Sequence, residues 1–325
     1  MDSASRARPV IALAMGDPCG ISPELTAKVV ALEEIRKAAR VVVIGDRRVF
    51  DEGARIAGVT PTVEFVDLNH LDPSTVQRGV ASKAGGASAL ANYRHGLRMA
   101  ADGKADAVCF TPFNKQAMRL AHPPYEDEIG FTSGVLGFKG AATEFNILEG
   151  LWNARVTSHI PLAKVSSALS IDSIVGALEL TATALRAAGF QPPRIGVAAL
   201  NPHAGDGGNF GREEIDIIEP AVKKAKAKGL PADGPYPADT VFVRAKAGQF
   251  DAVLTMFHDQ GQIAMKLLGF DRGVTLLGGY PFPICTPAHG TAYDIAGKGI
   301  ANVGAARAAL LLAARMAHRS TTVSS

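Results

Sequence analysis

The chain has 325 residues, of which 47% are hydrophobic and 20% are charged, and its formal net charge is +3. This composition excludes a disordered chain, and the lack of a basic block argues against nucleic-acid binding. No apolar run approaches the ~18 residues of a membrane span. The cysteines, at positions 19, 109 and 285, are too far apart for a CxxC motif, which argues against a disulfide framework or a thiolate zinc site. We expect a soluble, cytoplasmic protein with one large or two smaller domains.

Short apolar runs and helical patterns alternate in the first third of the chain. One helix is predicted from Ser22, as the N-cap before Pro23, to about Leu32, and another over Ser88–Ala101. The runs that predict buried strands are Val10–Met15, Val41–Ile44, Val63–Val66 and Ala107–Thr111.

The middle of the chain departs from this alternation. The apolar runs Thr143–Leu148 and Ala154–His159 are close in sequence and leave little room for a helix. A turn at Trp152-Asn153 would join them as an antiparallel pair.

The remainder returns to strands followed by helices. A helix capped by Asp172 is expected to end at Gly189, and the tail His318–Ser325 is expected to fray. Strands are predicted over Ile195–Leu200, Ala252–Met256 and Val274–Leu277, with helices over Glu213–Lys228 and Val303–Ala317. This order predicts a three-layer α/β fold with a largely parallel sheet. Because no linker separates two halves, a second domain would be inserted into the first and leave a cleft.

Three histidines stand just after predicted strands: His159, His203 and His258. The carboxyl edge of an open α/β sheet is where ligands bind, and three neutral imidazoles would suit a divalent metal such as zinc. The three are 44 and 55 residues apart, which is too far for a local metal motif. The residues alone therefore leave open that each histidine only bonds to backbone.

Two carboxylates and a lysine accompany these histidines. Asp259 is adjacent to His258, and it or Asp239 could orient an imidazole or move a proton. Lys266 follows His258 by about two helical turns and could bind an anionic substrate. The alternatives are that Asp239 caps a helix starting at Thr240 and that Lys266 is a solvated surface residue.

Two glycine-rich loops are predicted, one at residues 201–211 after a predicted strand and one at residues 289–299 before the closing helix. Glycines before a helix let backbone N–H groups approach a phosphate. The 201–211 loop does not have the Rossmann spacing, and the acidic residues that open the next helix argue against phosphate binding there; the loop at residues 16–20 is not a Walker sequence. The residues alone leave the use of the 289–299 loop open.

Four motifs, in this order, resemble the 4-hydroxythreonine-4-phosphate dehydrogenase (PdxA) family over residues 9–317. They are Gly16-Asp17-Pro18-Cys19-Gly20-Ile21-Ser22-Pro23-Glu24, Asn201-Pro202-His203-Ala204-Gly205, His258-Asp259-Gln260-Gly261 and His289-Gly290-Thr291. The resemblance implies an α/β fold like that of isocitrate and isopropylmalate dehydrogenases, with an interdomain cleft. It places residues 1–130 and 275–325 in one domain, and residues 131–274 in a second domain that carries the dimer interface.

The resemblance also implies an oxidoreductase that uses NAD or NADP to oxidise a hydroxy acid, whose keto product then loses CO₂. His159, His203 and His258, contributed by both subunits of a homodimer, would hold a divalent metal. Zinc is expected, with magnesium, cobalt or nickel as alternatives.

Further site residues come from the same resemblance. Lys266, Asp239 and Asp259 match catalytic positions, and Lys266 also matches a substrate-binding lysine. The segment His289–Gly299 resembles the adenosine-binding loop of isocitrate and isopropylmalate dehydrogenases. The expected cofactor-binding residues are Asn201, Gly205, His289, Gly290, Thr291 and Asp294.

The chain departs from the family at its substrate-binding positions. The family sequence Gly-His-Thr-Glu is replaced by Gly130-Phe131-Thr132-Ser133. A family asparagine is replaced by Thr275, and a family arginine that would suit phosphate or carboxylate is replaced by Ile284. The substrate-binding residues expected here are Phe131, Thr132, Lys266, Thr275 and Ile284.

We therefore expect the reaction class to be retained and the substrate to be changed. The apolar replacements favour a non-phosphorylated hydroxy acid derived from an aromatic compound, such as the cis-dihydrodiol acids formed from terephthalate. A four-carbon sugar-acid phosphate is an alternative substrate. Two other functions stay open: a non-catalytic binding protein on the same fold, and an acyl-transfer enzyme that would not need the histidines.

Overall fold

A computed structural model describes residues 8–323, and contacts between residues divide the chain into two compact units. Unit 1 comprises Met1–Gly140 with Val274–Ser325, and unit 2 comprises Ala141–Gly273. Strands and helices are numbered along the whole chain.

Unit 1 contains a mostly parallel sheet with helices packed against it. The strands are β1 (Val10–Ala14), β2 (Arg40–Gly45), β3 (Glu64–Asp67), β4 (Ala107–Phe110), β10 (Val274–Gly278) and β11 (Ile284–Pro287). The helices are α1 (Ser22–Ala31), α2 (Glu33–Ala38), α3 (Arg47–Ala57), α4 (Lys83–Ala101), α5 (Lys115–Ala121), α6 (Glu128–Leu136) and α12 (Gly304–Val323). The strand order is β3-β2-β1-β4-β11-β10, and β10 is antiparallel to β11.

Unit 2 repeats this arrangement with fewer strands. The strands are β5 (Thr143–Leu148), β6 (Leu151–Arg155), β7 (Ile195–Ala198), β8 (Ala232–Tyr236) and β9 (Ala252–Thr255). The helices are α7 (Val165–Ala168), α8 (Ile171–Ala188), α9 (Glu219–Ala227), α10 (Ala238–Lys246) and α11 (His258–Gly269). The strand order is β5-β6-β9-β7-β8, and β5 is antiparallel to β6.

The predicted α/β fold class is confirmed. Every residue of β4, β7 and β9 is buried, because helices cover parallel strands on both faces and such strands consist of continuous apolar runs. Those runs made six strands, β1, β2, β3, β4, β7 and β9, predictable to within two residues at each end. The short strands β8 and β11 escaped prediction, since Gly234, Pro235 and Pro287 interrupt their apolar pattern.

The antiparallel pair exists, but its predicted turn is wrong. The strands pair with Leu148 opposite Leu151, so the chain turns at Glu149-Gly150. Gly150 has a φ of 81°, which glycine adopts at no steric cost. Trp152 lies within β6, and the segment predicted as a strand to residue 159 leaves the sheet after Arg155.

Two predicted helix caps are also wrong. Ser22 lies inside α1, and its hydroxyl donates to the carbonyl of Pro112 at 2.8 Å rather than to its own helix. Ser170, not Asp172, caps α8, since its hydroxyl accepts from the backbone N–H of Ser173. Gly189 ends α8 as predicted, with a φ of 104°.

Three predicted helices differ in extent. Helix α4 begins at Lys83 rather than Ser88 because Gly86 lets it pack closely: a Cβ there would lie 2.0 Å from the carbonyl oxygen of Ala117. The helix predicted over 213–228 begins with a π-helical segment, Glu214–Ile218, before α9. Helix α12 continues to Val323, so the predicted fraying at 318 is wrong up to that residue, and 324–325 lie outside the described residues.

In the described part of the chain, no single helix is long and apolar enough to cross a membrane. One bent pair, Leu162–Ala168 and Ile171–Ala188, meets the length and composition test together, with 94° between its members.

Candidate functional site

Three histidines follow three neighbouring strands of unit 2. Strand β9 lies between β6 and β7 and runs parallel to both. His159, His203 and His258 come after the carboxyl ends of β6, β7 and β9. Because the ends of parallel strands meet at one edge, all three histidines belong to the ligand-binding edge of this sheet.

Two of these imidazoles approach each other closely. The ring centroids of His159 and His258 are 5.6 Å apart, whereas the ring of His203 lies against Phe210, with 6.0 Å between centroids. Among residues 8–323 of one chain, no group of three or more His, Cys, Asp or Glu side chains is placed to hold a metal ion. One chain thus brings together two of the three predicted ligands, and the three-histidine metal site stays a prediction.

The backbone at two of the histidines is left-handed. The φ angle is 53° at His159, and it lies between 45° and 80° at all five residues from His203 to Gly207. Each non-glycine residue in this conformation costs about 1–2 kcal/mol. Such strain persists only where surrounding contacts hold it, and it concentrates at functional sites.

Glu214 holds the strained loop in place. Its side chain is buried, and its Oε1 accepts hydrogen bonds from the backbone N–H groups of Leu200 and Asn201 at 2.8 and 2.7 Å. Its Oε2 accepts from Nδ2 of Asn201 at 2.9 Å. A Cβ at Gly205 would lie 2.7 Å from this same Oε2, so only glycine fits there. Glu214 therefore positions the segment that carries His203.

The structure gives Asn201 and Gly205 a role in shaping this loop. The Nδ2 of Asn201 donates to Glu213 at 2.7 Å as well as to Glu214. The hydroxyl of Ser166 donates to Glu213 at 2.6 Å and lowers the pKa of that carboxyl. Binding of a cofactor by Asn201 and Gly205 stays a prediction.

Asp259 orients the ring of His258. The Nδ1–H of His258 donates to Oδ1 of Asp259 at 2.6 Å, which leaves Nε2 as the nitrogen with a free lone pair. A carboxylate on the far side of a ligating imidazole is the usual arrangement at zinc sites. The donor set of imidazoles with one carboxylate behind them therefore fits a zinc-type ion.

The other residues of the His258–Gly261 motif fasten it to the sheet. Gln260 accepts from the backbone N–H of Met256 and donates to the carbonyl of Ala199, both at 2.7 Å. This side chain ties the segment after β9 to the segment after β7. A Cβ at Gly261 would lie 2.1 Å from Oδ1 of Asn153, so glycine lets the first turn of α11 pack closely against β6.

Asp239 and Lys266 belong to unit 2 as well. Asp239 is exposed in the first turn of α10 and follows β8, the strand beside β7, so it comes after the same sheet edge. It is not the cap of a helix starting at Thr240, because α10 begins at Ala238. Lys266 is exposed on α11, about two turns beyond His258. Their catalytic roles stay predictions.

The predicted substrate positions in unit 1 are largely buried. Thr132 is fully buried and hydrogen-bonded to the hydroxyl of Tyr93 at 2.6 Å. Phe131 stacks on Tyr93 with 5.8 Å between centroids, and Ile284 is fully buried in the same apolar cluster. Thr275 pairs with Thr286 across β10 and β11. Their contact with substrate stays a prediction.

In unit 1, the loop of the first motif (residues 16–24) is hydrogen-bonded to the loop that contains His289-Gly290-Thr291. The backbone N–H of Ile21 donates to the carbonyl of Thr291 at 3.0 Å, and the hydroxyl of Tyr293 donates to Asp17 at 2.6 Å. Burial raises the pKa of Asp17 despite this hydrogen bond. A Cβ at Gly20 would meet Thr291 at 2.7 Å. These contacts explain why both motifs need their small residues.

The remaining residues predicted to bind the cofactor lie on the same loop as Thr291 or in the next turn. Nδ1 of His289 lies 3.0 Å from the carbonyl of Gly290, both being on the loop that follows β11. Asp294 is exposed in the next turn. Cofactor binding by His289, Gly290, Thr291 and Asp294 stays a prediction.

Sequence reasoning missed Glu214. In the sequence, the acidic pair at 213–214 predicts only the start of a helix, where the helix dipole favours carboxylates. The available signal was that a carboxylate follows a loop with four glycines, at positions 205, 207, 208 and 211, whose backbone N–H groups need an acceptor.

Comparison with known proteins gives consistent matches over nearly the whole chain. The family model described as "Pyridoxal phosphate biosynthetic protein PdxA" matches residues 37–313. A protein of Rhizobium meliloti (strain 1021) named "Putative 4-hydroxythreonine-4-phosphate dehydrogenase 2" is 61% identical, over 99% of this chain and 97% of its own length.

Two solved structures extend this similarity. The 4-hydroxythreonine-4-phosphate dehydrogenase of Klebsiella pneumoniae is 32% identical, with a TM-score of 0.83 over 97% of this chain and 99% of that chain. The terephthalate 1,2-cis-dihydrodiol dehydrogenase of Burkholderia xenovorans LB400 is 30% identical, with a TM-score of 0.69 over 95% of this chain and 98% of that chain.

Proposed function

Because this chain belongs to the PdxA family and is a dehydrogenase, we propose that it oxidises a hydroxy acid with NAD or NADP and a divalent metal, and that the product loses CO₂. The observation that carries this proposal is the placement of His159, His203 and His258 after three neighbouring parallel strands. Imidazoles at such an edge are suited to a metal that acts on a bound substrate.

A second copy of the chain would complete the metal site. One chain brings only His159 and His258 together, so the third imidazole must come from elsewhere or from a movement of the 203–207 loop. Helix α11, which begins at His258, exposes 63% of Ile263 and 84% of Leu267. Burying these two side chains, one turn apart, against a second copy would bring α11 into a shared site. We therefore propose a homodimer.

When bound, the metal would act as a Lewis acid on the substrate oxygen and the nicotinamide would accept a hydride. The chain's own residues do the positioning. Asp259 keeps Nδ1 of His258 protonated, and Glu214 holds the loop of His203. Asp239 or Asp259 would accept the proton of the substrate hydroxyl, and Lys266 would bind the substrate carboxylate.

We propose that the substrate differs from the one named for the Klebsiella protein. Phe131 and Ile284 belong to a buried apolar cluster with Tyr93, and the hydroxyl of Thr132 is already hydrogen-bonded to that of Tyr93, so these positions offer little to a phosphate group. An aromatic-derived hydroxy acid without phosphate suits such a surface better. One structural relative at 30% identity, the terephthalate 1,2-cis-dihydrodiol dehydrogenase of Burkholderia xenovorans LB400, is named for a substrate of this class.

The test is a screen of hydroxy acids, with and without phosphate, that follows NADH formation in the presence of added divalent metals. We expect turnover of a non-phosphorylated cyclic hydroxy acid and little turnover of 4-phosphohydroxythreonine. A turnover of 4-phosphohydroxythreonine near ~10 s⁻¹, which is typical of enzymes, would contradict the proposed change of substrate.

The metal is tested separately with His203→Ala. We expect this variant to lose bound metal and turnover together, while His70→Ala, at an exposed histidine of unit 1, keeps both. Full activity in a metal-free His203→Ala variant would contradict the mechanism. Absence of both metal binding and NAD binding in the natural chain would instead favour a non-catalytic binding protein.

A further inference from the structure

A buried polar cluster is built around Arg155 in unit 2. Arg155 is the last residue of β6, four residues before His159, and only 2% of its side chain is exposed. Its Nη2 donates to the carboxylate of Glu144 on β5, the strand paired with β6. Because desolvation often makes a buried ion pair no more stabilising than well-packed apolar side chains, stability alone does not account for this arginine.

Arg155 holds the segment that carries His159. Its Nε donates to the hydroxyl of Ser158 at 3.0 Å, and Ser158 is adjacent to His159, whose backbone is left-handed with a φ of 53°. The hydroxyl of Thr157 donates to the carbonyl of Met256 at 2.7 Å. A left-handed histidine persists only where surrounding contacts hold it, and the guanidinium supplies one of these contacts.

The same cluster reaches the helix that begins at His258. Nη1 of Arg155 donates to Oδ1 of Asn146 at 2.6 Å, and this oxygen also accepts from Nε2 of Gln262 at 2.8 Å. Gln262 is one turn beyond His258 on α11, and residues four apart share a helix face. One guanidinium is thus connected, directly or through one amide, to both segments whose imidazoles lie 5.6 Å apart.

We propose that Arg155 is a positioning residue: it sets the separation and the direction of the His159 and His258 rings, so that both bind one divalent cation. The inference rests on the metal site proposed above and adds to it a cationic residue that does not itself bind metal. Arginine suits this role because its planar guanidinium donates in fixed directions, whereas a lysine ammonium donates from a single nitrogen. Residues that orient metal ligands in this way typically change metal affinity 10–100-fold when they are replaced.

The test is a titration of the full, metal-free chain with Co²⁺, followed by visible absorption, because the bands of bound Co²⁺ report its ligands and geometry. Arg155→Met removes the hydrogen bonds and keeps an unbranched side chain. We expect it to bind Co²⁺ about tenfold more weakly, with shifted bands. Arg155→Lys keeps the charge beside Glu144 and should bind about threefold more weakly, since one nitrogen cannot serve all three acceptors.

Arg194→Met is the matched control. Arg194 forms an ion pair of the same type in unit 2, with Asp251 at 2.6 Å. The two residues come just before β7 and β9, at the amino ends of these strands and therefore at the edge opposite the histidines. The carboxylates left without an arginine are similarly covered, with 14% of Glu144 and 12% of Asp251 exposed. Arg194→Met should leave both the affinity for Co²⁺ and the bands unchanged.

Gln262→Met tests the connection to α11 without removing the ion pair. Gln262 is only partly buried, so this variant should fold, and we expect it to bind Co²⁺ about threefold more weakly. When it is combined with Arg155→Met, the loss should be smaller than the roughly thirtyfold product of independent effects, because both changes act through Asn146. Thermal unfolding confirms that each variant is folded.

Two results would overturn the proposal. One is that Arg155→Met and Arg194→Met weaken Co²⁺ binding equally, and the other is that Arg155→Met binds Co²⁺ as the natural chain does. If Arg155→Met does not fold, natural affinity in both Arg155→Lys and Gln262→Met overturns it. Absence of Co²⁺ binding by the natural chain would overturn the proposed metal-dependent function as well, whereas normal binding that is insensitive to Arg155→Met would overturn only the positioning role.

Discussion

The two units hold their motif loops in place by different contacts. In unit 2, His159 and His203 have left-handed backbones, and the buried carboxylate of Glu214 holds the loop of His203. In unit 1, the motif residues bond to each other: Asp17 is buried and accepts from the hydroxyl of Tyr293. Motifs that look equivalent in the sequence are therefore stabilised by different interactions in the two units. In unit 2 a buried carboxylate holds the strained loop that carries His203. In unit 1, where Ala292 is also left-handed with a φ of 43°, the motif loops are held by hydrogen bonds to each other.

The largest effect should come from Glu214→Gln in unit 2. The amide would point an N–H₂ group at Nδ2 of Asn201 or at the backbone N–H groups that the carboxylate now accepts from. Hydrogen bonds to a charged group contribute about 1.5–3 kcal/mol, so we expect the free energy of unfolding, measured in urea, to fall by about 2–3 kcal/mol.

The control for this variant is Glu219→Gln, at an exposed glutamate of α9, which should be nearly neutral. Metal affinity should fall with Glu214→Gln and stay unchanged with the control. Equal stability of the two variants would show that Glu214 does not hold the strained loop, and the contrast between the units would lose its basis.

A smaller loss of stability is expected when Gly261, which packs closely against the sheet, is replaced. Gly261→Ala would place a Cβ 2.1 Å from Oδ1 of Asn153, and overpacking of this kind costs about 1–3 kcal/mol. Gly176→Ala in α8 meets nothing within 4 Å and should stabilise the helix by about 1 kcal/mol. Urea unfolding of both variants measures the difference. Opposite signs are expected, and a neutral Gly261→Ala would refute the close contact.

The smallest effect depends on pH and concerns unit 1. Burial raises the pKa of Asp17 above its usual 3.8, so just above that pH the folded state binds more protons at this group than the unfolded state does. The stability that Asp17 contributes must therefore fall as pH rises through its folded pKa.

The measurement compares the natural chain with Asp17→Asn across that pH range, so that other titrating groups cancel. We expect the difference in unfolding free energy, natural minus variant, to decrease with rising pH and then level off. An increase with pH would mean that the Tyr293 hydrogen bond outweighs burial. The metal affinity of Asp17→Asn should equal that of the natural chain, which would distinguish the contact between Asp17 and Tyr293 from the candidate metal site in unit 2.

Local patterns allowed most of the fold to be predicted, because buried parallel strands are short apolar runs and helices alternate with them. The errors fall where a distant contact overrides the local signal. Ser22 bonds to Pro112, which is 90 residues away, instead of capping its helix. Gly86 lies inside α4 in close contact with Ala117, whereas the predicted helix began only at Ser88.

The sequence by itself determined the α/β class, the strand-end placement of the three histidines and the family to which the chain belongs, since these depend on composition, order and motifs. Only the tertiary structure decided which histidines meet, that Glu214 supports the loop of His203, and that Arg155 is connected through Asn146 to α11. The physical reason is that hydrogen-bond partners come from segments far apart in the chain, and no local pattern records which of them will touch.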